Sequence, residues 1–213
     1  TIGWPMLVAA PLAIAIAALT GSLVDRGFWR PLRNRGTGLI AMMVISIGVG
    51  LLVRYIFLFQ FTGFPRGYRE FTEQTSWEFG PLRIVPRDLW TIVISVIVLL
   101  GVALFIQRNR MGKAMRAVSD NRDLAESSGI DVDRVINFVW AAGAGLAAFG
   151  GILHGLSQEV TWQMGFQLLL LMFAGVVLGG LGSAYGALVG SLVVGVAVEL
   201  STLWIPSEFK TVV

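Results

Sequence analysis

The chain has 213 residues, of which 55% are hydrophobic and 14% are charged. Soluble domains carry about 25% charged residues, so this composition favours a membrane protein. The absence of Cys excludes disulfides, thiol catalysis and Cys-ligated metals, and a net charge of +3 fits contact with anionic lipid headgroups better than nucleic-acid binding.

Apolar stretches long enough to cross a bilayer recur along the chain. A hydrocarbon core of about 30 Å needs roughly 20 helical residues. The sequence predicts four such spans, at 2–24, 38–60, 89–107 and 135–154. A further stretch, 160–198, contains no charged residue. As one helix it would be roughly 58 Å long, which is too long for one crossing.

Clustered glycines interrupt this last stretch at Gly179, Gly180 and Gly182. Because glycine breaks or turns a helix, we expect two short spans, 162–178 and 184–202, joined by a tight turn. A re-entrant pair of half-helices is the alternative. The predicted fold is therefore all-α, a polytopic transmembrane bundle of about six spans that forms a single domain over residues 1–213.

Basic residues are unequally divided between the two sides of the predicted bundle. Loops 25–37 and 108–134 carry ten Lys or Arg residues, and the opposite side carries five. Short basic loops stay in the cytoplasm, so we place these two loops there and loop 61–88 outside. The inverse topology is the alternative.

A charged segment, RAVSDNRDLAESSGIDVDRV at 116–135, separates the third and fourth spans. It predicts a short helix over 121–128, for which Ser119 and Asp120 are candidate N-caps. Gly129 follows, where glycine can end a helix in the left-handed conformation. Caps at both ends predict a segment that holds its shape at the membrane surface.

The following span has its own start signals. Asp131 is placed to cap it, and Asp133 lies in its first turn, where an acid favours the helix dipole. On the preceding short helix, Leu124, Ala125 and Ser128 fall on one side. This small apolar face favours docking onto another surface. A solvated loop is the alternative.

Glycines repeat every four residues in two places, at Gly151 and Gly155 and at Gly182, Gly186 and Gly190. Small residues at this spacing let helix backbones approach closely in lipid. We favour static packing; an interface that slides or lines a substrate path is the alternative. No Walker motif occurs in the sequence, so any ATP would be hydrolysed on another chain.

Two ionisable residues fall within spans, Arg54 and Glu199, both near the outer ends. Each either snorkels to the interface or pairs with the other across two helices. His154 is the single His, and we interpret it as an interfacial residue because no neighbouring ligand set accompanies it. No metal site is predicted.

Three stretches resemble permease subunits of branched-chain amino-acid ABC importers. They are RPLRNRGTGLIAMMVISIGVGLL at 30–52, GKAMRAVSDNRDLAESSGIDVDRVINFVWAAGAGLAAFGGIL at 112–153, and VVLGGLGSAYGALVGSLVVGVAVELS at 176–201. The likeness is closest to the first of the two permeases usually paired in such systems. It covers residues 30–213 and is weakest at 61–88.

The resemblance implies that the loop with the pattern RA…D…A…GI…R contacts an ATPase. The coupling residues expected from this pattern and its helix are Arg116, Ala117, Asp120, Asp123, Leu124, Ala125, Gly129, Ile130 and Arg134. The family's permeases are longer at both ends, so the chain is expected to lack their first spans and their last one.

The resemblance further implies a transmembrane permease without catalytic residues or cofactors. Its expected partners are a second permease, cytoplasmic ATPases and an external substrate-binding protein. Loop 61–88 and residues 203–213 are the candidates for contact with that protein. A plain extracellular connector is the alternative for loop 61–88. The expected location is the plasma membrane of a bacterium or archaeon.

The expected cargo is a branched-chain or related small amino acid, with urea or short amides as alternatives. A passive channel or a membrane scaffold is the rival function.

Overall fold

A computed structural model describes residues 6–68, 77–79, 82–180 and 184–201 of the chain. This part is mainly helical, which confirms the predicted all-α membrane bundle. Its helices are α1 Met6–Val24, a π-helical turn Asp25–Trp29, α2 Arg30–Asn34, α3 Leu39–Phe61, α4 Pro86–Arg108, α5 Arg110–Asp120, α6 Arg122–Ser127, α7 Val132–Ser157, α8 Met164–Gly179 and α9 Ala184–Ser201.

In the part of the chain that the structure describes, four helical stretches are long and apolar enough to cross a membrane: Val8–Asn34, Leu39–Phe61, Pro86–Arg108 and Val132–Ser157. They correspond to the four long spans that the sequence predicts. The helices α8 and α9 are shorter, with 16 and 18 residues, and they match the predicted short pair.

Small local shifts separate the predicted and observed span boundaries. Helix α4 begins at Pro86 rather than at residue 89, because proline at the first helical position needs no hydrogen-bond acceptor for its nitrogen. Helix α7 begins at Val132, directly after its cap, Asp131. Loop 61–88 also contains a short antiparallel hairpin that was not predicted, formed by β1 Trp77–Phe79 and β2 Leu82–Ile84.

Two helix pairs form most of the bundle: α1 packs along α7, and α8 packs along α9. Glycines permit the first contact. A Cβ atom on Gly21 would lie 2.5 Å from the Cβ of Ala144, and one on Gly145 would lie 3.5 Å from the Cβ of Ala18. These contacts run in opposite directions along the two helices, so α1 and α7 are antiparallel.

The helix ends fall into two groups. At one end, the backbones of Arg66 and Val160 exchange hydrogen bonds of 3.1 and 2.9 Å, and the Ser157 hydroxyl donates to Asp88 at 3.3 Å. At the other end, Arg30 forms an ion pair with Asp133 at 2.5 Å. Loop 25–37 therefore shares an end with the start of α7, as the alternation of spans requires.

Candidate functional site

The segment between α4 and α7 folds as two short helices, α5 and α6, where the sequence predicted one. Ser119 and Asp120 belong to the last turn of α5, so the prediction that they cap the next helix is wrong. Asn121 is the N-cap of α6, because its extended backbone separates the helices and its Oδ1 accepts a hydrogen bond from the Leu124 amide at 3.0 Å.

The C-terminal end of α6 is held by the predicted glycine. Gly129 has φ +84°, and its amide donates to the Glu126 carbonyl at 2.9 Å. The Ile130 amide donates to the Ala125 carbonyl at 3.1 Å, which closes the turn. The predicted cap of α7 is also confirmed, since Asp131 Oδ1 accepts from the Arg134 amide at 3.0 Å. The segment is thus fixed by backbone and capping hydrogen bonds at each junction.

Helix α5 folds back against the end of α4. Asn109 caps α5 by accepting from the Met111 amide at 3.2 Å. Gly112 is buried there, and a Cβ on it would overlap the backbone of Ile106. The Arg116 guanidinium donates to the Gln107 carbonyl at 3.4 Å. Contacts of α5 with α7 complete its attachment to the bundle.

Of the residues on the predicted apolar face of α6, Ala125 is buried and Leu124 is exposed. Ala125 is 4% exposed and anchors the helix, whereas Leu124 is 64% exposed. The charged members of the predicted coupling set are exposed, and Ala117 and Ile130 are half-buried. These charged residues are Arg116, Asp120, Asp123 and Arg134. The predicted coupling set therefore presents four charges and one large apolar side chain to the outside.

A polar cluster beneath this segment was missed at the sequence level. Asp25 is fully buried, 2.7 Å from the Arg33 guanidinium, and Asn137 donates to its carboxylate at 3.3 Å. Asn137 also accepts from the Ser22 hydroxyl at 2.9 Å and donates to the Ser22 carbonyl at 3.0 Å. An acid directly after an apolar span, with an Asn inside another span, is the signal that could have suggested the cluster. The cluster ties the end of α1 to the first turns of α7.

The glycine-rich helices α8 and α9 touch through their backbones. A Cβ on Gly179 would overlap the backbone of Gly186, and a Cβ on Gly190 would overlap that of Gly175. Gly180 ends α8 with φ +91°. The remaining predicted glycine of this group, Gly182, lies outside the described residues.

The two predicted glycines of α7, Gly151 and Gly155, lie against side chains rather than against the backbone of another helix. A Cβ on Gly151 would lie 3.5 Å from the flexible end of Met164. A Cβ on Gly155 would lie 2.7 Å from Val160 and 3.0 Å from Tyr68, which belong to the loops at that end of the bundle. Gly155 is buried, so it marks a close approach of loop to helix.

The two intramembrane charges lie in different surroundings. The Arg54 guanidinium lies 4.4 Å from the centre of the Trp162 ring and 5.3 Å from that of Phe166. Glu199 lines a cleft with His154. Among the ion pairs of the described residues, none joins Arg54 to Glu199. The structure thus does not bring these two charges together as a pair. Arg54 is stabilised by aromatic faces instead.

Comparison with known proteins gives consistent matches along the chain. The family model described as "Branched-chain amino acid transport system / permease component" matches residues 1–213. The chain is 33% identical over 223 residues to the high-affinity branched-chain amino acid transport system permease protein LivH of Escherichia coli K12, covering 99% of this chain and 70% of that protein.

Two further relatives are similar to the chain at slightly lower identity. The permease protein BraD of Pseudomonas aeruginosa, from a high-affinity branched-chain amino acid transport system, is 30% identical over 218 residues, covering 98% of this chain and 69% of BraD. The ribose import permease protein RbsC of Escherichia coli K12 is 30% identical over 223 residues, covering 97% and 64%. No solved structure matches significantly.

Proposed function

Because the chain belongs to the permease family of branched-chain amino-acid transport systems, we propose that it is the transmembrane permease subunit of an ATP-driven importer. The observation that carries the proposal is the family match over residues 1–213, together with four helical stretches able to cross a membrane. The protein is a multi-pass membrane protein, and its proposed location is the plasma membrane of a bacterium or archaeon.

The proposed cargo is a branched-chain or related small amino acid. LivH and BraD carry this cargo class in their names, and both align with nearly the whole chain. RbsC, a ribose import permease, aligns over a similar share, so the fold by itself does not specify cargo. Urea and short amides are the alternative cargoes.

The proposed mechanism is alternating access driven by a partner ATPase. The segment 116–134 would be the contact, since it presents exposed charges and the exposed Leu124 on two capped helices. Only Ser128 to Asp131 separate α6 from α7, and the turn between them is hydrogen-bonded. A displacement of α6 would therefore pass to α7, and through the Asp25 and Asn137 contact to α1.

The proposed complex includes a second permease, cytoplasmic ATPase subunits and an external substrate-binding protein. Loop 61–88 is a candidate for contact with that binding protein, as are residues 203–213, which lie outside the described residues. The many exposed apolar side chains of α3 fit contact with lipid or the second permease. No nucleic-acid role is proposed.

Accumulation against a gradient tests the function. The full-length protein, reconstituted in liposomes with its second permease, ATPases and binding protein, should concentrate leucine only when ATP and the binding protein are both supplied. A passive channel would instead equilibrate leucine without ATP, and a scaffold would leave the liposomes impermeable to it. Either of these results would refute the proposed function.

A further inference from the structure

A cleft of about 360 Å³ opens between the C-terminal end of α7, the first half of α8 and the second half of α9. Polar side chains line it: His154 from the end of α7, Gln158 directly after that helix, Gln167 from α8 and Glu199 from α9. Apolar side chains from α8 and α9 complete the wall, among them Leu168, Leu171 and Val198. Its size lies within the range of small-molecule sites.

The register of α8 and α9 brings the polar groups together. Gly175 lies against Ser191, and Gly179 lies against Gly186, so the two helices are antiparallel with a fixed register. Extending this register toward the start of α8 places Gln167 beside Glu199. The end of α7 reaches the same level. This is the end that holds loop 61–88, the extracytoplasmic end in the proposed topology.

Glu199 contributes a carboxylate to the lining of the cleft. The amide groups of Gln158 and Gln167 add hydrogen-bond donors nearby. One anion, amide donors and an aliphatic wall are the three surfaces that complement the ammonium, carboxylate and side chain of an aliphatic amino acid.

We propose that this cleft is the site where the permease receives a zwitterionic amino acid with an aliphatic side chain. Glu199 pairs with the ammonium, the amides of Gln158 and Gln167 donate to the carboxylate, and Leu168, Leu171 and Val198 contact the side chain. The inference rests on the proposed function and deepens it. It disfavours urea, which lacks both the cation and the aliphatic group.

Saturation-transfer-difference NMR on the assembled full-length transporter in nanodiscs, without its binding protein, tests the site. The probes are L-leucine and 4-methylpentanoate, which keeps the carboxylate and side chain of leucine but lacks its ammonium. Glu199→Gln should weaken leucine binding about tenfold, because a charge-assisted contact is lost, and should leave 4-methylpentanoate unchanged or tighter. Glu159→Gln, an exposed acid at the same end, is the matched control and should change neither.

A second variant covers the case in which Glu199→Gln does not assemble. Gln167→Glu would place an anion beside the bound carboxylate. It should weaken leucine binding but spare 3-methylbutylamine, which has the ammonium and the side chain without the carboxylate. A merely structural defect would weaken all probes together.

The experiment distinguishes a failure of the proposed binding site from a failure of the proposed transport function. If leucine binds the wild type and both cleft variants equally, or all probes weaken in parallel, the cleft is not the site, although import could still proceed. If the wild-type transporter with its binding protein imports no aliphatic amino acid, the proposed function itself fails and the inference falls with it.

Discussion

The buried carboxylate of Asp25 lies 2.7 Å from the guanidinium of Arg33, across the π-helical turn that joins α1 to α2. The same carboxylate accepts a hydrogen bond from Asn137 on α7. Three segments therefore meet at one buried charge. Asp25 and Asn137 lie at the same end of the bundle as segment 116–134, the proposed ATPase contact. This junction would therefore keep α1 and α7 together when that segment is displaced.

Removing the buried acid should be strongly destabilising. Asp25→Ala leaves the largely buried Arg33 without its partner, a change that costs about 3–5 kcal/mol in comparable buried pairs. We expect a clearly lower Tm of the purified full-length protein. The exposed pair of Arg30 and Asp133 provides the comparison, because Asp133→Ala should cost only about 0.2–1 kcal/mol. Equal Tm shifts for the two variants would show that the Asp25 junction is not structurally important.

The contact between α8 and α9 should tolerate no side chain at its centre. Gly190→Ala would force a methyl group into the backbone of Gly175, so the two helices would have to separate. We expect a lower Tm and loss of the monodisperse peak in size-exclusion chromatography. Gly48→Ala, on α3, is the control, since a Cβ there meets nothing within 4 Å. Indistinguishable behaviour of the two variants would contradict this packing.

The capping of α6 can be tested at single residues. Asn121→Ala removes the side chain that accepts from the Leu124 amide, and a lost N-cap costs about 1 kcal/mol. Hydrogen exchange of the amides in α6 should then be about fivefold faster. Ser119→Ala should leave this exchange unchanged, because Ser119 lies inside α5. Faster exchange in Ser119→Ala, with no change in Asn121→Ala, would show that Ser119 is the cap.

Local signals in the sequence predicted local structure well. Gly129 and Asp131 act on residues next to them, and both end or begin helices as expected. The cap of α6 was predicted one or two residues too early, at Asp120 or Ser119, since Ser119, Asp120 and Asn121 are all good caps. The choice depended on how far α5 extends, and α5 is held by its contact with α4 through Gly112.

Long-range relationships were beyond the reach of sequence patterns. The repeat at Gly186 and Gly190 indicated a close helix contact, but not that Gly175 and Gly179 form its other side. The hydrogen bond between Asp25 and Asn137 joins residues 112 positions apart, and no periodicity links them. Pairing of Arg54 with Glu199 was one of two alternatives and rested on charge alone, whereas the Arg54 guanidinium lies over the rings of Trp162, just before α8, and Phe166 in its first turn.

The proposed role of segment 116–134 can be measured as the coupling between ATP hydrolysis and transport. In the reconstituted full-length transporter, Asp123→Ala and Arg134→Ala should assemble normally, because both side chains are exposed and the Arg134 contact with Asp131 at 3.8 Å is a weak surface pair. Glu126→Ala, which alters another exposed charge on α6, is the matched control.

The measurement is the number of leucine molecules taken up per ATP hydrolysed. We expect this ratio to fall for Asp123→Ala and Arg134→Ala and to change little for Glu126→Ala. Wild-type ratios in all three variants would contradict the claim that segment 116–134 couples ATP hydrolysis to transport.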